Sequence, residues 1–199
     1  MAARLTPNMV LQGYRLGAFP MADPDGVVWW YSPDPRAIID LDCFHIPHGL
    51  RRTLRRAPFE VRINTAFDEV IDACGDRREG TWISPQIRAV YCALHRHGHA
   101  HSVGCWRDGQ LAGGLYGVAI GGAFFGESMF HRVTGASKVA LVALVERLRA
   151  RGFVLLDTQW TTPHLEQFGV GELPRDEYLH RLSDAVAREC VFADSPTAG

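Results

Sequence analysis

The sequence predicts an α+β protein: a small N-terminal domain over residues 1–35, and a larger domain over 36–199 with a mostly antiparallel mixed sheet. Three observations predict this. Val139, Leu141, Val142, Leu144, Val145 and Leu148 recur at helical spacing between Ala136 and Arg151, with Glu146, Arg147, Arg149 and Arg151 mostly on the other side. After Gly152, a good residue to end that helix, Phe153–Leu156 is continuously apolar and too short for a second helix, so it reads as a buried strand. Upstream, His99–Trp106, Gln110–Ala119 and Ala123–Glu127 are separated by the turn signals Arg107-Asp108-Gly109 and Gly121-Gly122, which gives a three-stranded meander.

The remaining elements follow in order. Met9–Leu16 reads as a brief helix, and Gly17-Ala18-Phe19-Pro20 and Asp23-Pro24-Asp25-Gly26 carry turn chemistry. The aromatic run in Val27–Tyr31 is either core for a small domain or a surface for stacking on a flat ligand such as a base. Ala37–Leu41 is a strand candidate. Arg51, Arg52, Arg55 and Arg56 fall at i, i+1, i+4 and i+5 on one helical face. No acid stands between Asp42 and Glu60 to pair with them, so the face is either solvated or a phosphate-binding surface. Asn64–Gly75 reads as a capped amphipathic helix, and Ser84-Pro85 as the start of another that stops near Gly98. The tail adds a helix over Pro174–Glu189 and an apolar end, Cys190-Val191-Phe192.

Composition excludes several classes. At 199 residues the chain can hold one good core and a small accessory piece. No apolar run is long enough to span a membrane, and Met1–Pro7 lacks the apolar core of a signal peptide, so a cytoplasmic protein is expected. The five cysteines are scattered and form no CxxC pair, which favours free thiols over disulfides or a zinc site. With a net charge of −1, contact with nucleic acid would need a local basic patch.

Three groups of residues carry chemical interest. Glu127 and Asp157 end apolar segments, and Gln159 falls on the same strand face as Asp157; buried polar groups of this kind need partners, structural or catalytic. His95, His97, His99 and His101 alternate, but Gly98 breaks the run between helix and strand, and no metal site is expected. Arg132–Ser137 precedes the central helix and suits an anion at a helix N-terminus. It partly echoes the RxxGx(G/A) loop of acetyl-CoA-dependent N-acetyltransferases, whose helix–meander–helix–strand order the chain also shares.

Phe19-Pro20, Trp29–Arg36, Glu79–Ile83, Gly98–Ser102, Gly113–Val118, Phe125–Phe130, Ala136-Ser137-Lys138 and Leu156–Gln159 stand in the order found in leucyl/phenylalanyl-tRNA–protein transferases. The sequence resembles that family from about Tyr14 to Tyr178. The resemblance implies a shortened N-terminal domain, a C-terminal domain of the N-acyltransferase (GNAT) type, and transfer of leucine or phenylalanine from aminoacyl-tRNA to proteins with N-terminal arginine or lysine. Such transfer marks those proteins for degradation. It implies Leu-tRNA and Phe-tRNA as partners, no cofactor beyond that co-substrate, and a cytoplasmic monomer.

Residue by residue, Trp82 matches the tryptophan that stacks on the terminal adenosine, while Met21 stands where the family has a second tryptophan. Leu115, Phe124, Met129, Leu141, Leu144 and Leu156 fall where the family builds its amino-acid pocket, with Leu144 in a place that can hold a bulkier aromatic. Arg51, Arg52, Arg55 and Arg56 fall in the stretch expected on the acceptor stem. Glu127, Asp157 and Gln159 match the polar active-site residues. The expectation is that Asp157 orients or partly deprotonates the incoming amine, directly or through Gln159, and that Glu127 holds the site or faces the cationic acceptor. An apolar pocket of this kind would also admit methionine. The alternatives are an acetyl-CoA-dependent N-acetyltransferase and a noncatalytic tRNA- or peptide-binding module.

Overall fold

The computed structural model describes residues 4–56 and 58–194; Met1–Ala3, Ala57 and residues 195–199, and with them the ends of both expected domains, lie outside the described residues. The chain opens with α1 (Pro7–Arg15), the hairpin β1 (Phe19–Ala22) and β2 (Val28–Tyr31), then β3 (Arg36–Ile39), α2 (His48–Arg56), β4 (Glu60–Ile63), α3 (Phe67–Gly75) and α4 (Pro85–Arg96). The meander β5 (Ala100–Arg107), β6 (Gln110–Ile120) and β7 (Ala123–His131) follows, then α5 (Ala136–Ala150), β8 (Leu155–Gln159), α6 (Pro163–Glu166), β9 (Val170–Leu173) and α7 (Arg175–Val186).

β1 and β2 form a sheet of their own, and the other seven strands form a mixed sheet in the order β4-β5-β6-β7-β8-β3-β9. One apolar cluster joins α1, α3, α4 and α7 to the first face of that sheet, and a second joins α2 and α5 to the other. The N-terminal segment therefore shares a core with the large sheet. No helix among the described residues is long and apolar enough to cross a membrane.

Local chemistry accounts for the boundaries. Thr6 caps α1 by accepting from the amide of Met9, and Ser84 caps α4 by accepting from that of Ile87, each with proline in the first turn. The β5–β6 turn puts Asp108 and Gly109 both at positive φ, as a two-residue primed turn requires. Asn64 departs from its expected capping role: α3 starts later, at Phe67, without a side-chain cap. Asn64 instead has φ 59, accepts from the amide of Ser102 and bonds His101. The short β4, β9 and α6 carried no periodicity to find, being only four residues each.

The aromatic run on β2 is not core, since Trp29, Trp30 and Tyr31 are 56%, 40% and 38% exposed. The arginines near the end of α5 are not merely solvated: Arg147, Arg149 and Arg151 donate to the carbonyls of Phe192, Leu41 and Ala193, and fasten the helix to the tail and to the loop after β3.

Candidate active site

Among the described residues β7 and β8 are the one parallel pair in the large sheet, and they pair from Ala123↔Leu155 to Phe125↔Asp157. Beyond Asp157, β8 stays with β3 while β7 runs on to His131 paired only to β6. The strands part, and a cavity of about 690 Å³ occupies the wedge. Leu115, Met129, Leu141, Leu144 and Leu156 give it an apolar floor. Met21, Trp82 and Trp160 stand on its walls with Glu127 and Gln159. Arg77 reaches across to donate to Ser128 Oγ at 2.9 Å and to the Met129 carbonyl at 3.0 Å, capping part of the edge that β8 leaves free.

Glu127 arrives there through an irregularity in β7. Tyr116 pairs with Ser128 and Gly117 with Gly126, so Glu127 is the extra residue of a β-bulge. Gly117 permits the tight crossing; a Cβ there would lie 2.3 Å from the Phe125 carbonyl oxygen and 2.4 Å from the Phe124 ring. The bulged carboxylate accepts from Tyr91 Oη at 3.2 Å and from Gln159 Nε2 at 3.2 Å. Tyr91 is itself 2.5 Å from the Tyr14 hydroxyl, so α1 and α4 together support the carboxylate. Burial pushes the Glu127 carboxyl up to about 7, against the pull of the Tyr14 and Tyr91 hydroxyls, with the nearby Asp157 charge raising it further.

Asp157 has different surroundings. It is fully buried and is not part of the cavity wall. Its Oδ1 accepts from Arg36 Nε at 3.0 Å and from the Gln159 amide at 2.8 Å. Its Oδ2 accepts from Arg36 Nη2 at 2.7 Å and Tyr178 Oη at 2.6 Å. Arg36 is equally enclosed; its Nη1 donates to the Gly17 carbonyl, and its guanidinium lies over the rings of Phe19 and Tyr178. A carboxylate so enclosed reaches the cavity only through Gln159, whose backbone it holds at φ 62. The direct encounter between Asp157 and an incoming amine does not fit this geometry.

The other expected residues divide similarly. Phe124 faces α5 but lies where β7 is still paired to Leu156, so it sits fully buried beneath the cavity, against Phe192. Arg51, Arg52, Arg55 and Arg56 are exposed along α2, away from the cavity wall, where Leu50 anchors the helix against α5. Arg132 does not turn into the loop before α5: it donates to the Leu111 carbonyl and lies over Phe130. The histidines diverge, His95 stacking on Phe67 and His101 lying buried against Phe192. Among the described residues no group of His, Cys, Asp or Glu gathers as a metal set would.

Arg36, Tyr14, Tyr91, Tyr178 and Trp160 were not singled out from sequence. Arg36 had a usable signal, a lone cation opening the apolar strand Ala37-Ile38-Ile39. The tyrosines had none, since each also fits the apolar stripe of its helix.

Residues 38–183 match the family description leucyl/phenylalanyl-tRNA protein transferase, and residues 3–34 match that of its N-terminal domain. The chain belongs to the leucyl/phenylalanyl-tRNA–protein transferase family. It is 58% identical to the Salinibacter ruber leucyl/phenylalanyl-tRNA–protein transferase over 92% of this chain and 80% of that one. It is also 58% identical to the Akkermansia muciniphila protein of that name (94% and 98% covered), and 55% identical to the Gloeobacter violaceus one (96% and 100%). Among solved structures, the C-terminal domain of a putative lysylphosphatidylglycerol synthetase from Agrobacterium fabrum aligns at TM-score 0.43 and 14% identity, over 91% of this chain and 57% of that one. In this leucyl/phenylalanyl-tRNA–protein transferase family member, the apolar floor, the Glu127–Gln159 pair and the Trp82 wall thus belong to one cavity.

Proposed function

We infer that this aminoacyltransferase moves leucine or phenylalanine from aminoacyl-tRNA to the α-amine of a protein, and that its acceptors begin with arginine or lysine and are thereby marked for degradation. The observation that carries this reading is a single cavity offering an apolar floor beside the hydrogen-bonded Glu127 and Gln159. The amino-acid side chain lies on Leu115, Met129, Leu141, Leu144 and Leu156, and the terminal adenosine lies between Met21 and Trp82. Parting parallel strands with a helix between them are what an N-acyltransferase-type domain would use to admit an acyl group.

In the transfer the acceptor nitrogen attacks the ester carbon. A C–N bond forms, the C–O bond to the ribose breaks, and the amine's proton ends on the ribose oxygen. The ester is already activated, and an α-ammonium has a pKa of roughly 7.7–8.0. Glu127, held near 7, is matched to take that ammonium proton and release the free amine. Gln159 donates a hydrogen bond from Nε2 to Glu127, which leaves its carbonyl oxygen to orient an amine N–H. Asp157 is a positioning residue: with Arg36 and Tyr178 it fixes the backbone of Gln159. Placing amine and ester in attack geometry supplies on the order of 7–11 kcal/mol of the barrier.

The exposed arginines of α2 are assigned to the acceptor stem. If they neutralise about four duplex phosphates, the logarithm of tRNA affinity falls against that of salt with a slope near −3 to −4. The deciding experiment supplies radiolabelled Leu-tRNA with peptides beginning in Arg and, separately, in Asp. Label appears on the Arg peptide alone. Acyl transfer from acetyl-CoA in the absence of tRNA would replace this reading with that of an acetyltransferase.

A further inference from the structure

One side of the cavity mouth has no role in the transfer described above. Trp160 directly follows Gln159, lines the same cavity and is 42% exposed. Its ring meets Phe19 at 5.1 Å between centroids and 86°, and Tyr31 at 6.2 Å and 70°. The β1–β2 hairpin therefore holds the indole from behind while the exposed Tyr31 extends the aromatic surface outward. On its interior side this cluster already binds a cation, since the Arg36 guanidinium lies 4.8 Å from the centroid of Phe19. That charge is neutralised by Asp157, so it does not repel a second one.

Acids flank the shelf. Glu127 stands in the cavity, and Glu172 on β9 accepts from Thr161 Oγ1 at 2.7 Å, which fixes a carboxylate beside the residue that follows Trp160. We propose that Trp160, extended by Tyr31, receives the cationic side chain of the acceptor's first residue and so sets acceptor specificity. This rests on the transfer reading above. The attacking nitrogen must come within about 3–3.5 Å of the ester carbon. The side chain leaves the Cα bonded to that nitrogen, so it lands on whatever stands next to Gln159. A lysine or arginine stem lies along the indole, its charge attracted by the ring within about 6 Å and by Glu172 beyond. A nucleobase of the donor's penultimate nucleotide would stack on the same ring, but would bring its phosphate against Glu172, so the charges favour the acceptor.

The experiment uses the full chain, Leu-tRNA, and three peptides that differ only in a first residue of Lys, Arg or norleucine, the last matching the lysine stem without its charge. Trp160→Leu raises KM for the Lys and Arg peptides about tenfold. It leaves kcat, the KM for Leu-tRNA and the KM for the norleucine peptide near their original values. Trp160→Phe falls between the two proteins. Equal losses for Lys and norleucine peptides, or no change with any, would overturn the assignment. So would a rise in KM for Leu-tRNA with peptide KM unmoved, which would mark a base-stacking site. A wild-type protein that transfers to no peptide overturns the transfer reading and this inference together; a wild type that prefers Lys and Arg while Trp160→Leu keeps that preference overturns this inference alone.

Discussion

The two carboxylates beside the wedge are only one hydrogen-bonded glutamine apart, yet they are held in opposite ways. On the β8 side Asp157 is sealed, with both oxygens engaged by Arg36, Tyr178 and the Gln159 backbone. On the β7 side Glu127 is half-buried, is met by neutral donors, and has its carboxyl raised to about 7. The Arg36 guanidinium, bonded to both oxygens, makes the first a structural anchor. Burial of the second, with no cation bonded to it, raises its carboxyl so that a proton can come and go near neutral pH. Sequence position alone made the two look alike, since each ends an apolar strand segment.

The largest effect should come from opening the sealed side. Arg36→Met leaves the Asp157 charge buried without its cation, and a loss of about 3–5 kcal/mol is expected in denaturant unfolding. Arg36→Met combined with Asp157→Leu should recover most of it. A loss for the single variant within the roughly 0–1 kcal/mol of a surface pair would remove the contrast.

Next is the working side. Glu127→Gln should lower the transfer rate about 10²-fold near pH 8 while the KM for aminoacyl-tRNA barely moves. The wild-type rate should rise with pH through about 7, and the variant should lose that rise. A variant that keeps that rise would assign the titration elsewhere.

Tyr91→Phe sharpens the same point. It removes a donor from the charged form of Glu127, so the activity rise should move to higher pH, and activity at neutral pH should drop and return on alkalisation. The buried Tyr14 hydroxyl also loses its partner, at a cost of about 1–3 kcal/mol in stability.

The smallest effect lies in stability against pH. Glu127 has a folded value of about 7 against an ordinary 4.5, so the folded state holds its proton more tightly than the unfolded one. Its contribution is therefore fully present below about pH 4.5 and is lost as pH rises through about 7. Between those limits the wild type should lose on the order of 1 kcal/mol relative to Glu127→Gln, because the carboxyl opens onto the cavity and is partly screened. A flat difference across that range would mean that the Glu127 proton is not shifted by folding.

Much of this was legible beforehand, for identifiable reasons. The meander, α4 and α5 announce themselves through turn glycines, a Ser-Pro start and a long apolar stripe. The floor residues Leu115, Met129, Leu141, Leu144 and Leu156 were placed by motif order, and all lie on one cavity. Phe124 was misplaced because motif order does not tell where two parallel strands stop pairing. Glu127's bulge was invisible because its misfit lies in β6–β7 pairing, which no local window contains. Arg36 meets Asp157 across 121 positions of chain, and neither residue's neighbours hint at the other.

That bulge gives β7 an unusual sensitivity to length. Deleting one residue between Gly126 and Ser128 would let the strand fall back into regular pairing and restore a textureless, better-bonded ribbon. The glutamate would be gone from the wedge. If Glu127 has the role proposed for it, a lost codon in this stretch would regularise the sheet and remove transfer in one step, which makes strand length here a parameter of the reaction.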